Sequence, residues 1–284
     1  MAILNATPPQ GALYGILSPA VTVITEQSED WINGFQYETT DAQAKVEIST
    51  IVGANPPVDY VAIEPVPGAP TVRNYYPFMV TASVRASTMG TKIDQVQAAA
   101  ENALEIVMQK AIEIEFWKGT AAQALTAEND NRYLSHVEAT DVTPTPGTAI
   151  KVKYGQALLE QALGNGTIGS RGTLHAPLLI ASAMAAGDRD GALTTGLGNT
   201  VVAGAGYSNT GPDGEVAPTG TAWMYATGPV TVHLGPMPTI TPEKMSQAVN
   251  VSKNEIEFFV DRPAAVTWST TPLYAVLVNL ELDY

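Results

Sequence analysis

The sequence predicts an α+β fold. Three observations predict it: one helical run much longer than any other, strand-like segments on both sides of it, and Gly- and Pro-rich turns that separate those segments without a regular strand–helix–strand repeat. The chain has 284 residues, including 24 glycines and 20 prolines. That length suits one large domain or two smaller ones with a substantial core.

The first 30 residues carry one acidic cluster, Glu26, Glu29 and Asp30, and little other charge. Pro8, Pro9, Gly11, Gly15 and Pro19 prevent a long helix, so the segment reads as an extended arm. Its apolar residues, among them Leu13, Tyr14, Ile16, Leu17 and Val21, call for another surface to lie on. From Trp31 to Tyr76 the pattern is strands broken by turns. Residues 45–52 begin with strand-like alternation, Gly53 to Pro57 interrupt it, and 61–64 form a return strand stopped by Pro65, Pro67, Gly68 and Pro70. This is a long hairpin with proline-rich ends, and prolines beside strands mark exposed edges.

The long helix is predicted over 92–118, roughly 40 Å of helix, about twice the usual length. Thr91 and Asp94 offer a capping box at its start, and Gly119 a stop. Ile93, Val96, Ala100, Ala103, Val107, Ala111, Ile114 and Trp117 recur in steps of three and four and predict the buried face. Leu104, Met108, Ile112 and Phe116 form a flanking stripe. A second helix is expected over 154–163, ending at Gly164, and a third over 177–186. Strands are expected over 200–202, 222–226, 229–234, 255–260, 264–269 and 274–282.

Charged residues make up only 15% of the chain, against roughly 25% in a typical soluble domain. Sparse charge suits a surface largely covered by other subunits, because interface cores are depleted in charge. The net charge of −14 excludes a protein that reads nucleic acid through a basic surface, though not one that encloses it without gripping it. With no cysteine there is no disulfide, thiolate metal site or Cys nucleophile. No secretory signal is expected from the opening residues, and no apolar run reaches the roughly 18 residues that span a bilayer. The N-x-S/T triplets at Asn5, Asn165 and Asn250 are chance matches.

Candidate chemistry reads as structure. Gly164 to Gly169 fits G-x-G-x-x-G, but a helix precedes it where a dinucleotide site needs a strand. Gly204-Ala205-Gly206 reads as a turn. His136, His175 and His233 are far apart without zinc-site spacing. His175 is the best single candidate for catalysis and is read as a hydrogen-bonded structural residue. Glu113 and Glu115, two apart on a helix, do not face each other and are read as solvated or salt-bridged. Glu128-Asn129-Asp130-Asn131 lacks the glycine and distal Glu of a calcium loop and reads as a turn. Tyr75-Tyr76-Pro77-Phe78 beside Arg73 reads as core or subunit contact in preference to a base-stacking platform. No catalytic, cofactor-binding or metal residue and no cofactor is expected.

An arm, a long hairpin, a long helix and then a mixed β region resemble, in that order, the major capsid protein of tailed bacteriophages. Several segments also resemble coat proteins of phages that infect actinobacteria: Ala111 to Gly119 (AIEIEFWKG), Arg171 to Pro177 (RGTLHAP), Thr200 to Tyr207 (TVVAGAGY) and Trp223 to Val230 (WMYATGPV). The likeness runs from about Trp31 to Leu282. Members often carry hairpin cysteines, which this chain lacks.

The resemblance implies an N-terminal arm (1–34), an extended hairpin loop region (35–78, the hairpin itself 43–73), and a peripheral domain (79–149) with the spine helix 92–118. It further implies an axial domain (150–228), peripheral strands (229–270) and a last axial strand (271–284). The implied function is the structural subunit of an icosahedral shell around a double-stranded DNA genome, not an enzyme. Its implied partners are copies of itself as pentamers and hexamers, with scaffold, portal and decoration proteins, no membrane, and no sequence-specific DNA binding. Its implied place is the virion, after assembly in the host cytoplasm. The arm and hairpin, unstable alone, are expected to lie across neighbouring copies. Lys45 lies in the hairpin, but no motif for a Lys–Asn crosslink accompanies it and none is expected, nor is a removable N-terminal scaffolding segment. The competing readings are an encapsulin-type compartment shell and a monomeric β-rich enzyme or binding module.

Overall fold

The computed structural model describes residues 14–26, 30–39, 71–87, 89, 92–125, 129–166, 171–189, 191–236, 249–250, 254–268 and 273–280. In chain order, β1 (Thr22–Thr25), β2 (Phe35–Thr39), β3 (Thr71–Tyr75) and β4 (Phe78–Ser87) precede the long helix α1 (Ile93–Lys118) and a short α2 (Thr120–Ala124). Then come β5 (Thr140–Asp141), β6 (Ile150–Lys151), α3 (Val152–Gly166), β7 (Thr173–Pro177), α4 (Leu178–Ala181), β8 (Ala186–Arg189), β9 (Ala192–Thr195) and β10 (Thr200–Gly204). The remaining strands are β11 (Thr221–Thr227), β12 (Val230–Leu234), β13 (Val249–Asn250), β14 (Glu255–Trp268) and β15 (Leu273–Asn279).

Two sheets carry the molecule, as the α+β expectation requires. In the first, β1 lies parallel to β12, β12 antiparallel to the second half of β14, and β4 antiparallel to its first half, with Ser87 opposite Glu255 and Phe78 opposite Ala264. β14 is one strand where the sequence predicts two, because its proline falls at a junction. Leu234 pairs with Ala264, while Gly235 just beyond donates its N–H to the Pro263 carbonyl at 2.8 Å. The missing proline N–H therefore sits where β12 begins to pair. The second sheet runs β5-β15-β11-β7-β10-β9-β8, with β6 also on β15. β2 and β3 form a separate antiparallel pair, Phe35 opposite Tyr75 and Thr39 opposite Thr71. The expected hairpin strands 45–52 and 61–64, with Lys45, lie outside the described residues.

Helix α1 packs on β4 and β14, and α3 packs on β15 and β11. The buried face of α1 agrees with the predicted stripe at Val96, Ala100 and Trp117 and shifts between them onto the flanking stripe: Leu104, Met108, Ile112 and Phe116 are buried, while Val107 and Ile114 are exposed. The predicted capping box is also displaced. Thr91 lies outside the described residues, and it is Gln95, not Asp94, that folds back, its Oε1 accepting the Lys92 N–H at 3.2 Å. Gly119 ends the helix as expected, at φ 63° with its N–H bonded to the Glu115 carbonyl at 2.7 Å.

Two other helices depart from expectation. α3 continues through Gly164 to Gly166. The third helix is one turn, Leu178–Ala181, followed by strand β8 from Ala186. The side chain of Gln156 on α3 draws the chain away, its Oε1 accepting the Ala185 N–H at 2.8 Å. Of the expected arm, residues 14–26 lie on the chain's own body, with Ile16 fully buried in the first core and β1 paired to β12, while residues 1–13 lie outside the described residues.

Candidate functional site

The richest side-chain constellation lies at the C-terminal end of α1, where both sheets and the N-terminal segment meet. The second sheet is buried on both faces. Alternation along β11 sends Ala222, Met224 and Ala226 toward α3 and Tyr225 toward the end of α1. The same alternation in β7 puts Leu174 and Ala176 under α3 and leaves His175 on the α1 side.

Glu113 projects from α1 into this junction and is fully buried. Its Oε1 accepts the Ile16 N–H at 3.1 Å and its Oε2 the Gly206 N–H at 2.8 Å. Burial raises its carboxyl above the usual carboxylate range, although these N–H bonds, and others from Gln109 and Ala205, oppose the shift. Two glycines make the approach possible. A Cβ at Gly15 would lie 2.0 Å from Glu113 Oε1, and one at Gly206 would lie 2.4 Å from the Lys110 carbonyl oxygen.

Glu115 does a separate task. Its Oε1 accepts the Ala121 and Ala122 N–H groups at 2.9 and 3.1 Å, so it caps the start of α2, where a carboxylate meets unpaired N–H groups. Both acids were expected to be solvated or salt-bridged. Helical spacing predicts that they point apart but does not reveal that each meets backbone donors from elsewhere.

Aromatic rings fill the junction. Trp117 Nε1–H points at Thr210, 2.9 Å from its Oγ1 and 3.2 Å from its carbonyl oxygen. The Trp117 ring centroid lies 4.9 Å from that of Tyr207 and 5.0 Å from that of Tyr225. Phe116 meets His175 and Trp268 edge-on at 5.2 and 5.7 Å. The His175 ring lies 3.0 Å (Nδ1) from the Tyr207 hydroxyl and 2.9 Å (Nε2) from Thr227 Oγ1. Thr227 donates its own proton to the Gly228 carbonyl, which assigns Nε2–H as donor to Thr227 and Nδ1 as acceptor from Tyr207. Complete burial lowers the His175 pKa to about 3, so the ring is neutral. A general base must reach a substrate proton. Fully enclosed, with both nitrogens bonded to Tyr207 and Thr227, His175 braces the second sheet against α1.

The other sequence candidates scatter. His136 sits in a turn with Nδ1 accepting the Glu138 N–H at 3.2 Å, and His233 Nδ1 lies 2.8 Å from Glu26 Oε1. Among the described residues no group of His, Asp and Glu converges in a way that could hold a metal ion. Gly164 and Gly166 belong to the last turn of α3, and Gly169 lies outside the described residues. Tyr75 is buried, with its ring 5.9 Å from that of Phe35. The turn after α2 clamps the strand edge. Asp130 Oδ2 accepts the Asn74 N–H at 2.8 Å, while Asn131 accepts the Tyr76 N–H at 2.8 Å and donates to its carbonyl at 2.7 Å. Asn131→Ala is expected to lower the unfolding free energy by about 1–3 kcal/mol, read as a shift in urea midpoint at constant slope.

The surface leaves several large apolar side chains bare. Ile106 is 80% exposed, Val137 78%, Leu197 70% and Leu179 62%. They stand on α1, on a turn, beside β9 and on α4.

No protein-family model matches the sequence, and no curated protein matches it. Solved structures do match in fold. A chain from Mycobacterium phage Cain aligns at 11% identity over 99% of this chain and 96% of its own, with TM-score 0.52. The capsid of an empty GTA particle aligns at 11% identity over 98% of this chain and 95% of its own, with TM-score 0.51. The SrpI encapsulin complex from Synechococcus elongatus aligns more loosely, at 12% identity over 100% and 95% of the two chains and TM-score 0.49. At these identities the likeness is one of fold: the chain has the α+β capsid fold that the sequence resemblance implied.

Proposed function

We propose that this chain is the structural subunit of a closed icosahedral shell that encloses double-stranded DNA in a tailed phage. The observation that carries the reading is the fold match, nearly end to end in both chains, with the capsid of a GTA particle. Composition supports it. Charge is sparse, and large apolar side chains stand bare on several elements, as suits a subunit whose surface is covered by neighbours. The excess of 28 acidic over 14 basic residues suits enclosure of DNA without a tight grip on phosphates.

In this reading the partners are copies of the chain, as pentamers and hexamers, joined by scaffold, portal and decoration proteins. The place of action is the virion, after assembly in the host cytoplasm. The region around α1 and β14 serves as the peripheral domain and the region around α3 as the axial domain, with residues 35–78 as the extended loop. The reading assigns no catalysis, and the enclosed His175 supports that.

The test is expression of the chain with its neighbouring genes, followed by size-exclusion chromatography and negative-stain microscopy. Closed shells, or rings of five or six copies, are expected, with nuclease-protected DNA inside native particles. Shells holding protein cargo in place of DNA would move the reading to an encapsulin-type compartment. A monomer that never assembles at high concentration would overturn it.

A further inference from the structure

Strand β1 ends its side of the first sheet, with β12 on one flank and no strand on the other among the described residues. In a parallel pair every second residue turns its N–H and C=O toward the neighbour. Glu26, one step past β1, donates its N–H to the Leu234 carbonyl at 2.8 Å, so Thr22 and Ile24 share that direction. Val23 and Thr25 therefore aim their backbone groups away from the sheet. All four residues of β1 are β-branched and exposed, Val23 and Ile24 at 41% each. Such an edge is a template for another strand, and soluble proteins blunt it with proline, lysine or a bulge. β1 has none of these: it reads Thr-Val-Ile-Thr and pairs with β12 in unbroken register.

We propose that β1 is a docking edge for β1 of a second copy of this chain, joined antiparallel about a two-fold axis through Ile24. Charge names the occupant. The net charge is −14, so two copies repel over most of their surfaces. No Asp, Glu, Lys or Arg occurs before Glu26, and the Glu26 carboxylate is turned to His233, 2.8 Å from its Nδ1. At β1, then, two copies meet without like charges in the ladder.

The backbone is self-complementary as well. A two-fold axis normal to the sheet keeps each face on its own side, so it passes through one residue of β1. Centred on Ile24, it sets Val23 against Thr25 of the second copy and Thr25 against Val23 of the second copy, and each pair exchanges both hydrogen bonds. Centred on Val23, it would set Thr25 against Val21, whose N–H already goes to the Ser18 carbonyl at 3.0 Å. Only the Ile24 centre occupies every outward group of β1. It also places Ile24 on Ile24 of the second copy, on the face that carries His233, as a cross-strand pair of β-branched residues.

This contact forms between two free chains and does not depend on the shell reading. The absence of native cysteine allows a direct test. In this register the two Ile24 Cα atoms lie about 4.5 Å apart, within disulfide reach, and the two Val23 Cα atoms roughly 8–9 Å apart, beyond it. Oxidation of the full chain carrying Ile24→Cys is expected to give a disulfide-linked dimer, while Val23→Cys stays monomeric under the same conditions. Val23→Pro removes an outward N–H that β1 does not use in its own sheet. Added to Ile24→Cys, it is expected to abolish the crosslink with the urea midpoint unchanged. An Ile24→Cys chain that fails to crosslink, equal crosslinking of Val23→Cys, or a crosslink that survives Val23→Pro would overturn the proposal. Should Val23→Pro not fold, amide hydrogen exchange on the unaltered chain decides. Protection of the Val23 and Thr25 amides is expected to grow with protein concentration; protection independent of concentration would give the edge to another segment of the same chain and refute the pairing. A chain that crosslinks through Ile24→Cys yet never forms shells would count against the shell reading alone.

Discussion

Trp117→Ala is expected to remove about 3–5 kcal/mol from the unfolding free energy, the range for a buried aromatic truncated to alanine. Trp117 is completely buried between α1 and the second sheet. Truncation loses ring contacts with Tyr207 and Tyr225 and the indole N–H bond to Thr210. Tyr225 Oη still donates to the Thr210 carbonyl at 2.9 Å, which spares that group from isolation and keeps the loss within the range. Against a total stability of about 5–15 kcal/mol, such a loss leaves a marginal subunit. Urea unfolding followed by near-ultraviolet circular dichroism reads it. A loss below about 1 kcal/mol would mean that the two sheets are not coupled through this ring.

Acid should destabilise the chain through His175. Its folded pKa is about 3 and its ordinary value 6.5, so the unfolded chain takes up a proton that the folded chain refuses. The ring's contribution is complete above pH 6.5 and is lost as the pH falls toward 3, a change of order 5 kcal/mol. Glu113 works in the opposite sense. Its folded pKa is raised, so its contribution grows as the pH falls from that value toward 4.5. The net profile should therefore be shallower than His175 alone would give. In a His175→Gln variant the acid-side slope between pH 6.5 and 3 should fall by about one proton. An unchanged slope would place the acid sensitivity elsewhere.

The sequence makes the long helix legible because its apolar steps and Gly119 agree. It does not fix which face is buried. Two apolar stripes lie side by side on α1, and periodicity ranks them nearly equal. The choice was made by the sheet of β4 and β14, which takes Leu104, Met108 and Ile112 and leaves Val107 outside. Glu113 was illegible for a related reason. A carboxylate at a core position is tolerated only because Ile16 and Gly206, 97 and 93 residues away, bring N–H groups to it. The one available clue was Gly204-Ala205-Gly206, read as a turn, where Gly206 in fact permits the backbone to touch α1. Pro263 misled for a local reason, since a proline breaks a strand only where its N–H would have been needed.

The pairing of β4 with β14 joins distant parts of the chain: Arg85 and Glu257, across from each other, are 172 residues apart. At about 5–20 residues per second, a ribosome adds that span in roughly ten to thirty seconds. For most of that interval α1 has been synthesised, while β14, one of the two strands it rests on, has not. The nascent chain thus carries an apolar helix face with half of its platform missing. Pairings of such long range also close slowly once both strands exist. The apolar surface that later lies inside each subunit is, for those seconds, available to any other chain nearby. Faster translation between α1 and β14, or a chaperone that binds the α1 segment, should therefore raise the yield of folded subunit.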